Sequence, residues 1–245
     1  MKTIVLHILI LFVIISCGNP ELPEASLSVE AYLYAGQPVK NIKLRLIKPI
    51  DATEAQPVND AVVYIIWNDA YYQLNVLPDE LGTYFSSNED LRIIENETYY
   101  LYILYHDQEY VAATTVPLPP LQVQSSKDTI NLALENDQIN VTWQNPDSTW
   151  YLGVIAPDQA FETNLPFNNF FSLPTQASSI KITPEDVKLT GSQHFVLYGI
   201  TDDYAKLYKI SNSSIGATNV GNISNGFGIF SAFSSDTLTF VAKSP

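Results

Sequence analysis

Three histidines, one cysteine and 26 carboxylates are the groups with which this 245-residue chain could do chemistry. Metal binding and acid–base work by histidine need ligand-type spacing, such as two histidines four apart on a helix with a glutamate between them. His7 sits in the apolar start of the chain, His106 between two strand-like runs, and His194 at the head of another. That spacing predicts neither a metal site nor a histidine-based triad. There is no Gly-x-Ser-x-Gly elbow and the lone cysteine has another use, so nucleophilic catalysis lacks its usual parts. Carboxylates are plentiful, which leaves open a pair of the kind that cleaves glycosidic or peptide bonds. Yet Asp51, Glu54, Asp79, Glu80, Glu89, Asp90, Asp107 and Asp137 fall in predicted turns, where acidic side chains are solvated. Without an interleaved Asp-x-Asp-x-Asp-Gly loop, the hard-cation option narrows to Asp202-Asp203. No cofactor is expected.

The cysteine belongs to the start of the chain. Lys2 is followed by an apolar run, Ile4 to Ile15, and then by Ser16-Cys17. The run has 12 residues, too few for a hydrocarbon core that takes about 20. A positive residue before an apolar segment of this length is a secretory signal. A small residue directly before a lone cysteine is the arrangement of a bacterial lipoprotein signal. Residues 1–16 are therefore expected to be removed, leaving Cys17 as the lipidated first residue of the mature chain. The alternative is an ordinary signal peptide with a stray cysteine.

Composition limits the partners. The formal charge is −14, and all 26 acidic residues lie after residue 16. So acidic a chain is repelled by nucleic acid, which takes a basic footprint. It has no Lys/Arg cluster for anionic headgroups either. Membrane attachment would rest on lipid at Cys17, where two or more acyl chains make an anchor stable. One cysteine excludes an internal disulfide framework, so burial must hold the fold together.

The elements that must position any site are strands. Residues 17–25 read as a tether. From Leu27, alternating runs at 28–34 and 43–47, the continuous run Ala61–Trp67, the turn Asn68-Asp69 and a hairpin around His106-Asp107-Gln108 give about seven short strands. That is the signature of a β-sandwich over 26–116. Pro117-Leu118-Pro119-Pro120 reads as a stiff linker. A second β-sandwich is expected over 121–245, with strands at 129–134, 138–143, 149–155, 193–200, 227–230 and 237–241. A helix from about Asp203 to Ile210 is capped by Thr201-Asp202-Asp203. The expected fold is all-β, with two immunoglobulin-like or fibronectin III-like sandwich modules, the second carrying a short helix and long loops.

Aromatic clusters are the binding candidates. Trp67, Tyr71 and Tyr72 surround a hairpin turn. Phe161, Phe167, Phe170 and Phe171 crowd a polar loop running to Pro174, and Phe227 lies within Asn225-Gly226-Phe227-Gly228. Aromatic side chains there can anchor a protein interface or stack on sugar rings. They can instead tuck over a sandwich edge as satellite core, which is the reading expected for Trp67, while the Phe loop is balanced between the two. The glycines around Phe227 suit a tight turn or a close backbone approach.

Several of these stretches together resemble a family. They are Ala61-Val62-Val63, Gly82-Thr83-Tyr84, Tyr99-Tyr100-Leu101, Tyr204-Ala205-Lys206-Leu207-Tyr208 and Val220-Gly221-Asn222-Ile223-Ser224-Asn225-Gly226-Phe227-Gly228-Ile229-Phe230, after the lipoprotein signal. Their order resembles the domain-of-unknown-function 4249 family of Bacteroidota lipoproteins. The resemblance implies an outer-membrane or surface lipoprotein, often encoded beside a TonB-dependent receptor, and it carries over no catalytic residues. Asp128-Thr129-Ile130, Asp147-Ser148-Thr149 and Asp236-Thr237-Leu238 also resemble the O-glycosylation sites of exported proteins in that bacterial group, making Thr129, Ser148 and Thr237 candidates. The expected function is a lipid-anchored, non-enzymatic accessory protein that binds a TonB-dependent receptor or its nutrient ligand. A carboxylate-dependent hydrolase and a structural envelope protein are the alternatives.

Overall fold

The computed structural model describes residues 26–47, 56–158, 172–211 and 221–244. Cys17, the signal and tether, and Phe161, Phe167, Phe170 and Phe171 lie outside them.

The described residues are nearly all strand and loop, with one α-helix and a single 3-10 turn at Pro184–Asp186. Sheet A has nine strands, and its main path runs β13 (Trp150–Pro157), β15 (Gly191–Ile200), β16 (Phe227–Lys243), β1 (Leu27–Tyr34), β2 (Asn41–Leu46), β7 (Thr83–Phe85), β6 (Asn75–Val76). Two short strands join it: β3 (Gln56–Pro57) on β2 and β11 (Thr129–Asn131) on β16. Sheet B is β5 (Ala70–Gln73), β4 (Val62–Trp67), β8 (Thr98–Tyr105) and β9 (Gln108–Thr115). Sheet C is β10 (Leu121–Ser125), β12 (Ile139–Gln144) and β14 (Ser179–Ile182).

Alternation sorts the side chains into cores. In β1, Leu27, Val29, Ala31 and Leu33 point one way and pack with Val63, Ile65, Leu101 and Ile103 of sheet B. Beyond the middle of β16, Phe240 and Ala242 join Phe195 and Leu197 of β15 against Val141 and Trp143 of sheet C. The expected sandwiches are both present, and they are built on one common sheet. The join is the parallel pairing of β1 with the first half of β16, Ser28 opposite Phe227 through Tyr34 opposite Phe233. Phe230 and Ala232 therefore complete the core of the N-terminal sandwich, although they lie over a hundred residues past Pro120. Pro117 and Leu118 pass directly over β15: a Cβ built on Gly199 would lie 3.0 Å from the Leu118 carbonyl oxygen.

The other face of sheet A is covered by α1 (Asp202–Ser211), close to the span expected from its acidic cap. Tyr34, Val196, Tyr198, Tyr204 and Phe233 form a third core there. Trp150 ties the helix down, donating its indole N–H to Asp202 at 3.0 Å while Lys209 lies 3.6 Å over its ring.

Candidate functional site: the tyrosine face of sheet B

Strands buried on both faces read as continuous apolar runs, and a half-solvated sheet alternates. β4 and β8 have the first pattern in the second setting. Val63, Ile65, Leu101 and Ile103 are buried inward, while the outward positions carry Tyr64, Ile66, Tyr100, Tyr102 and Leu104. Cross-strand register lays these out in rows. Tyr71, Ile66, Tyr100 and Ala113 form one, and Gln73, Tyr64, Tyr102 and Val111 the next. Val62, Leu104 and Glu109 form a third.

The rings touch one another. Tyr64 meets Tyr71 edge-on at 6.0 Å and lies tilted 6.4 Å from Tyr102. Tyr71 is 67% exposed and Tyr100 52%. The Tyr102 hydroxyl donates to the Glu109 carboxylate at 2.8 Å, which raises the Tyr102 pKa above its usual value. A groove of about 390 Å³ runs between β4, β8 and β9, lined by Ile66, Tyr100, Tyr102, Val111 and Ala113 among others. An apolar, aromatic surface of this kind on a face turned to water marks a binding site more often than a solvated wall.

The far edge of β9 is sealed by the glycine-rich stretch before β16. Ser224 exchanges two bonds with Val111, backbone N–H to carbonyl at 2.9 Å and Val111 N–H to Ser224 Oγ at 3.0 Å. Asn222 Nδ2 donates to the Ala113 carbonyl at 3.2 Å and Asn225 Nδ2 to the Glu109 carbonyl at 3.1 Å. An edge strand exposes unpaired backbone groups that recruit other chains, and three side chains from 222–225 occupy them here. Asn225 has φ +59°, and Gly228 has φ +104° with no room for a Cβ against Val29. Phe227 is half-buried at the start of β16, opposite Ser28.

The hairpin residues named from the sequence divide between the two faces. Tyr71 stands on the outer face. Trp67 and Tyr72 are partly buried against the core, Trp67 stacking on Tyr99 at 5.8 Å and donating its indole N–H to Glu97 at 3.3 Å. Asn68 and Asp69 both have positive φ, the turn that a two-residue hairpin takes. Tyr64 lies within the continuous run Ala61–Trp67, and Tyr100 and Tyr102 within the first arm of the His106 hairpin, neither of which singles them out as binding residues. Their signal is the phenol itself, a polar tip at two successive outward positions of β8, Tyr100 and Tyr102.

Other chemistry is dispersed. His106 stacks on Tyr105 in the β8–β9 turn, whereas His194 lies in sheet A, 2.6 Å from an Asp158 carboxylate oxygen. Asp202 and Asp203 engage Trp150, Lys206 and Asn222. Among the described residues no cluster of three or more His, Cys, Asp or Glu could hold a metal ion. A cavity of about 640 Å³ lies between the β1–β2 turn and the 86–95 loop, and Glu89, Arg92 and Glu95 line it. Ser148 and Thr237 are exposed, and Thr129 is half-buried with its hydroxyl on Asp128 at 3.1 Å.

Residues 18–239 match the family model described as domain of unknown function (DUF4249). No curated protein matches the chain. Many solved structures are similar, among them these two. One is the FN1–FN3 domains of chicken CNTN1, with 9% identity and TM-score 0.25, covering 90% of this chain and 65% of that one. The other is a 1.5-MDa bacterial ice-binding adhesin, with 13% identity and TM-score 0.22, covering 91% of this chain and 66% of that one. The chain thus spans about two thirds of the length of each.

Proposed function

We propose, starting from the fact that this chain belongs to the domain of unknown function family DUF4249, that it is a lipid-anchored accessory protein of the outer membrane that works by binding rather than by catalysis. Its partner is a TonB-dependent receptor or the nutrient ligand that such a receptor takes up. The observation that carries the binding part is the exposed tyrosine face of sheet B, with Tyr71 and Tyr100 standing out into water beside an apolar groove. Support for the anchor comes from the sequence, where Ser16-Cys17 closes a short apolar run. Among the described residues no helix is long and apolar enough to cross a membrane.

Two experiments test this reading. Cys17→Ala should move the protein from the membrane fraction to the soluble one, and unchanged fractionation would overturn the anchor. Affinity purification from detergent-solubilised membranes should bring down a TonB-dependent receptor near stoichiometry, less so when Tyr71 and Tyr100 are both changed to alanine. Absence of the receptor would count against that partner.

The cleft favours one second reading. Glu89 and Glu95 both line it, as the carboxylates of a hydrolase would. Both are exposed, however, whereas a carboxyl kept protonated as a general acid needs an apolar or like-charged surround. Hydrolysis of a peptide or glycan substrate that disappears in Glu89→Gln or Glu95→Gln would establish this reading over the first.

A further inference from the structure

We infer that the tyrosine face of sheet B docks a basic protein segment, an extended stretch in which arginine or lysine alternates with aliphatic residues. This rests on the reading of the chain as a binding protein and names the chemistry of its partner.

Charge is the first argument. Residues 60–116 hold ten aspartates and glutamates and a single cation, Arg92. Arg92 lies in the loop that lines the cleft, so the strands and turns of sheet B carry no lysine or arginine at all. The acids flank the face at both ends. Asp69 and Glu97 stand by the β4–β5 turn, and Asp60, Asp107 and Glu109 by the β8–β9 turn. Potentials across an interface are arranged to complement one another, and this one calls for a cation. A second copy of this chain would bring the same acidic ends and the same net charge of −14.

The second argument is the surface between those ends. Exposed phenol rings at Tyr71 and Tyr100 are faces on which a guanidinium stacks. The groove beside them is walled by Ile66, Val111 and Ala113, room for an aliphatic side chain. An extended segment presents side chains alternately, so one face of it would meet rings and groove in turn. A glycan needs several convergent hydrogen-bonding groups. Here Glu109 is engaged by Tyr102, and Thr98 and Thr115 bond each other at 2.8 Å. The β9 edge is occupied by Ser224, Asn222 and Asn225, which leaves the face as the docking surface on that side.

The test uses the purified full chain in detergent and three probes: an acetylated Arg-Ile repeat peptide, its Glu-Ile counterpart, and a β-linked glucose oligosaccharide. The arginine peptide should bind at least about tenfold more tightly than the other two and weaken as salt is raised. Tyr100→Ala and Glu109→Lys should each weaken it roughly tenfold, with the urea midpoint unchanged. Leu134→Ala, an exposed change on the other sandwich, should leave binding intact. Equal affinity for the two peptides, preference for the sugar, or binding indifferent to Tyr100→Ala would overturn the inference. So would a concentration-dependent dimer that Tyr100→Ala dissociates. The anchor is read separately from the fractionation of Cys17→Ala, so either conclusion can fail alone.

Discussion

Asn222 treats Phe230 as a strand partner. Its Oδ1 accepts the Phe230 N–H at 2.9 Å and its Nδ2 donates to the Phe230 carbonyl at 2.8 Å, the exchange that two paired backbones make. The same Nδ2 lies 3.2 Å from the Ala113 carbonyl and 3.3 Å from Asp203. One amide thereby ties the last strand of the chain to the edge of sheet B and to the helix.

Asn222→Ala would leave those backbone groups to find other partners. Side-chain bonds of this kind contribute about 1 kcal/mol each, more when the orphaned group is shielded, so a loss of roughly 2–4 kcal/mol is expected in urea unfolding. Asn222→Asp keeps the acceptor but sets a carboxylate beside two carbonyls and Asp203. It should be at least as unstable at neutral pH and recover partly on acidification, when the new carboxyl regains a proton. A midpoint within error of wild type for both would show that the latch contributes nothing.

Gly228 and Gly36 separate two uses of glycine. Both have positive φ, +104° and +73°. A Cβ on Gly228 would lie 1.9 Å from the Val29 carbonyl oxygen, while one on Gly36 would meet nothing within 4 Å. Gly36→Ala should therefore lose only the conformational strain of about 1 kcal/mol. Gly228→Ala must push β1 off β16 and should lose more than about 3 kcal/mol, or fail to fold. Equal losses in thermal melts would contradict this.

These two positions also mark what could be read from the sequence. The Asn68-Asp69 hairpin and the helix after Thr201 are local, and their residue types announce them. The glycines near Phe227 announce a tight approach too, but not to what. Val29 is 199 positions before Gly228, and no local pattern encodes a parallel pairing across that distance. Nor could the run Thr98–Tyr105 say which face stays open, because apolar residues fill both. Trp67 and Tyr71 both flank the Asn68-Asp69 turn. Their position on alternate strand faces sends Trp67 toward the core and Tyr71 into water, which only the register of β4 against β5 decides.

Trp143 is a test of burial against hydrogen bonding. It is 4% exposed and meets Tyr151 edge-on at 5.4 Å, yet its indole N–H has no partner among the described residues. Trp143→Phe removes that orphan donor while keeping a ring in the core, so stability should stay within about 1 kcal/mol of wild type. Trp143→Ala opens a cavity and should lose about 3–5 kcal/mol. If phenylalanine proves as damaging as alanine, the indole N–H is not a liability.

The tyrosines under α1 predict how the fold fails in alkali. Burial, with the charge of Glu30 adding to it, pushes the Tyr32 hydroxyl up to about 12, and burial alone takes Tyr198 to about 12. Tyr34 and Tyr204 are raised too, chiefly by burial. They crowd one ring: Phe233 stacks on Tyr34 at 5.3 Å and meets Tyr204 edge-on at 4.9 Å. A phenol with a raised folded pKa holds its proton more tightly in the native state than in the unfolded chain, where it titrates near 10. The stability this represents is complete below about pH 10 and drains away as pH climbs toward 12. The urea midpoint should therefore hold steady up to about pH 10 and then fall. The phenolate absorbance of the buried tyrosines should appear together with loss of near-UV circular dichroism. Tyr204→Phe keeps the ring and removes one ionisable group, so its midpoint should fall less steeply over the same range. Full phenolate absorbance in a protein that keeps its near-UV signal would mean that these hydroxyls are not buried.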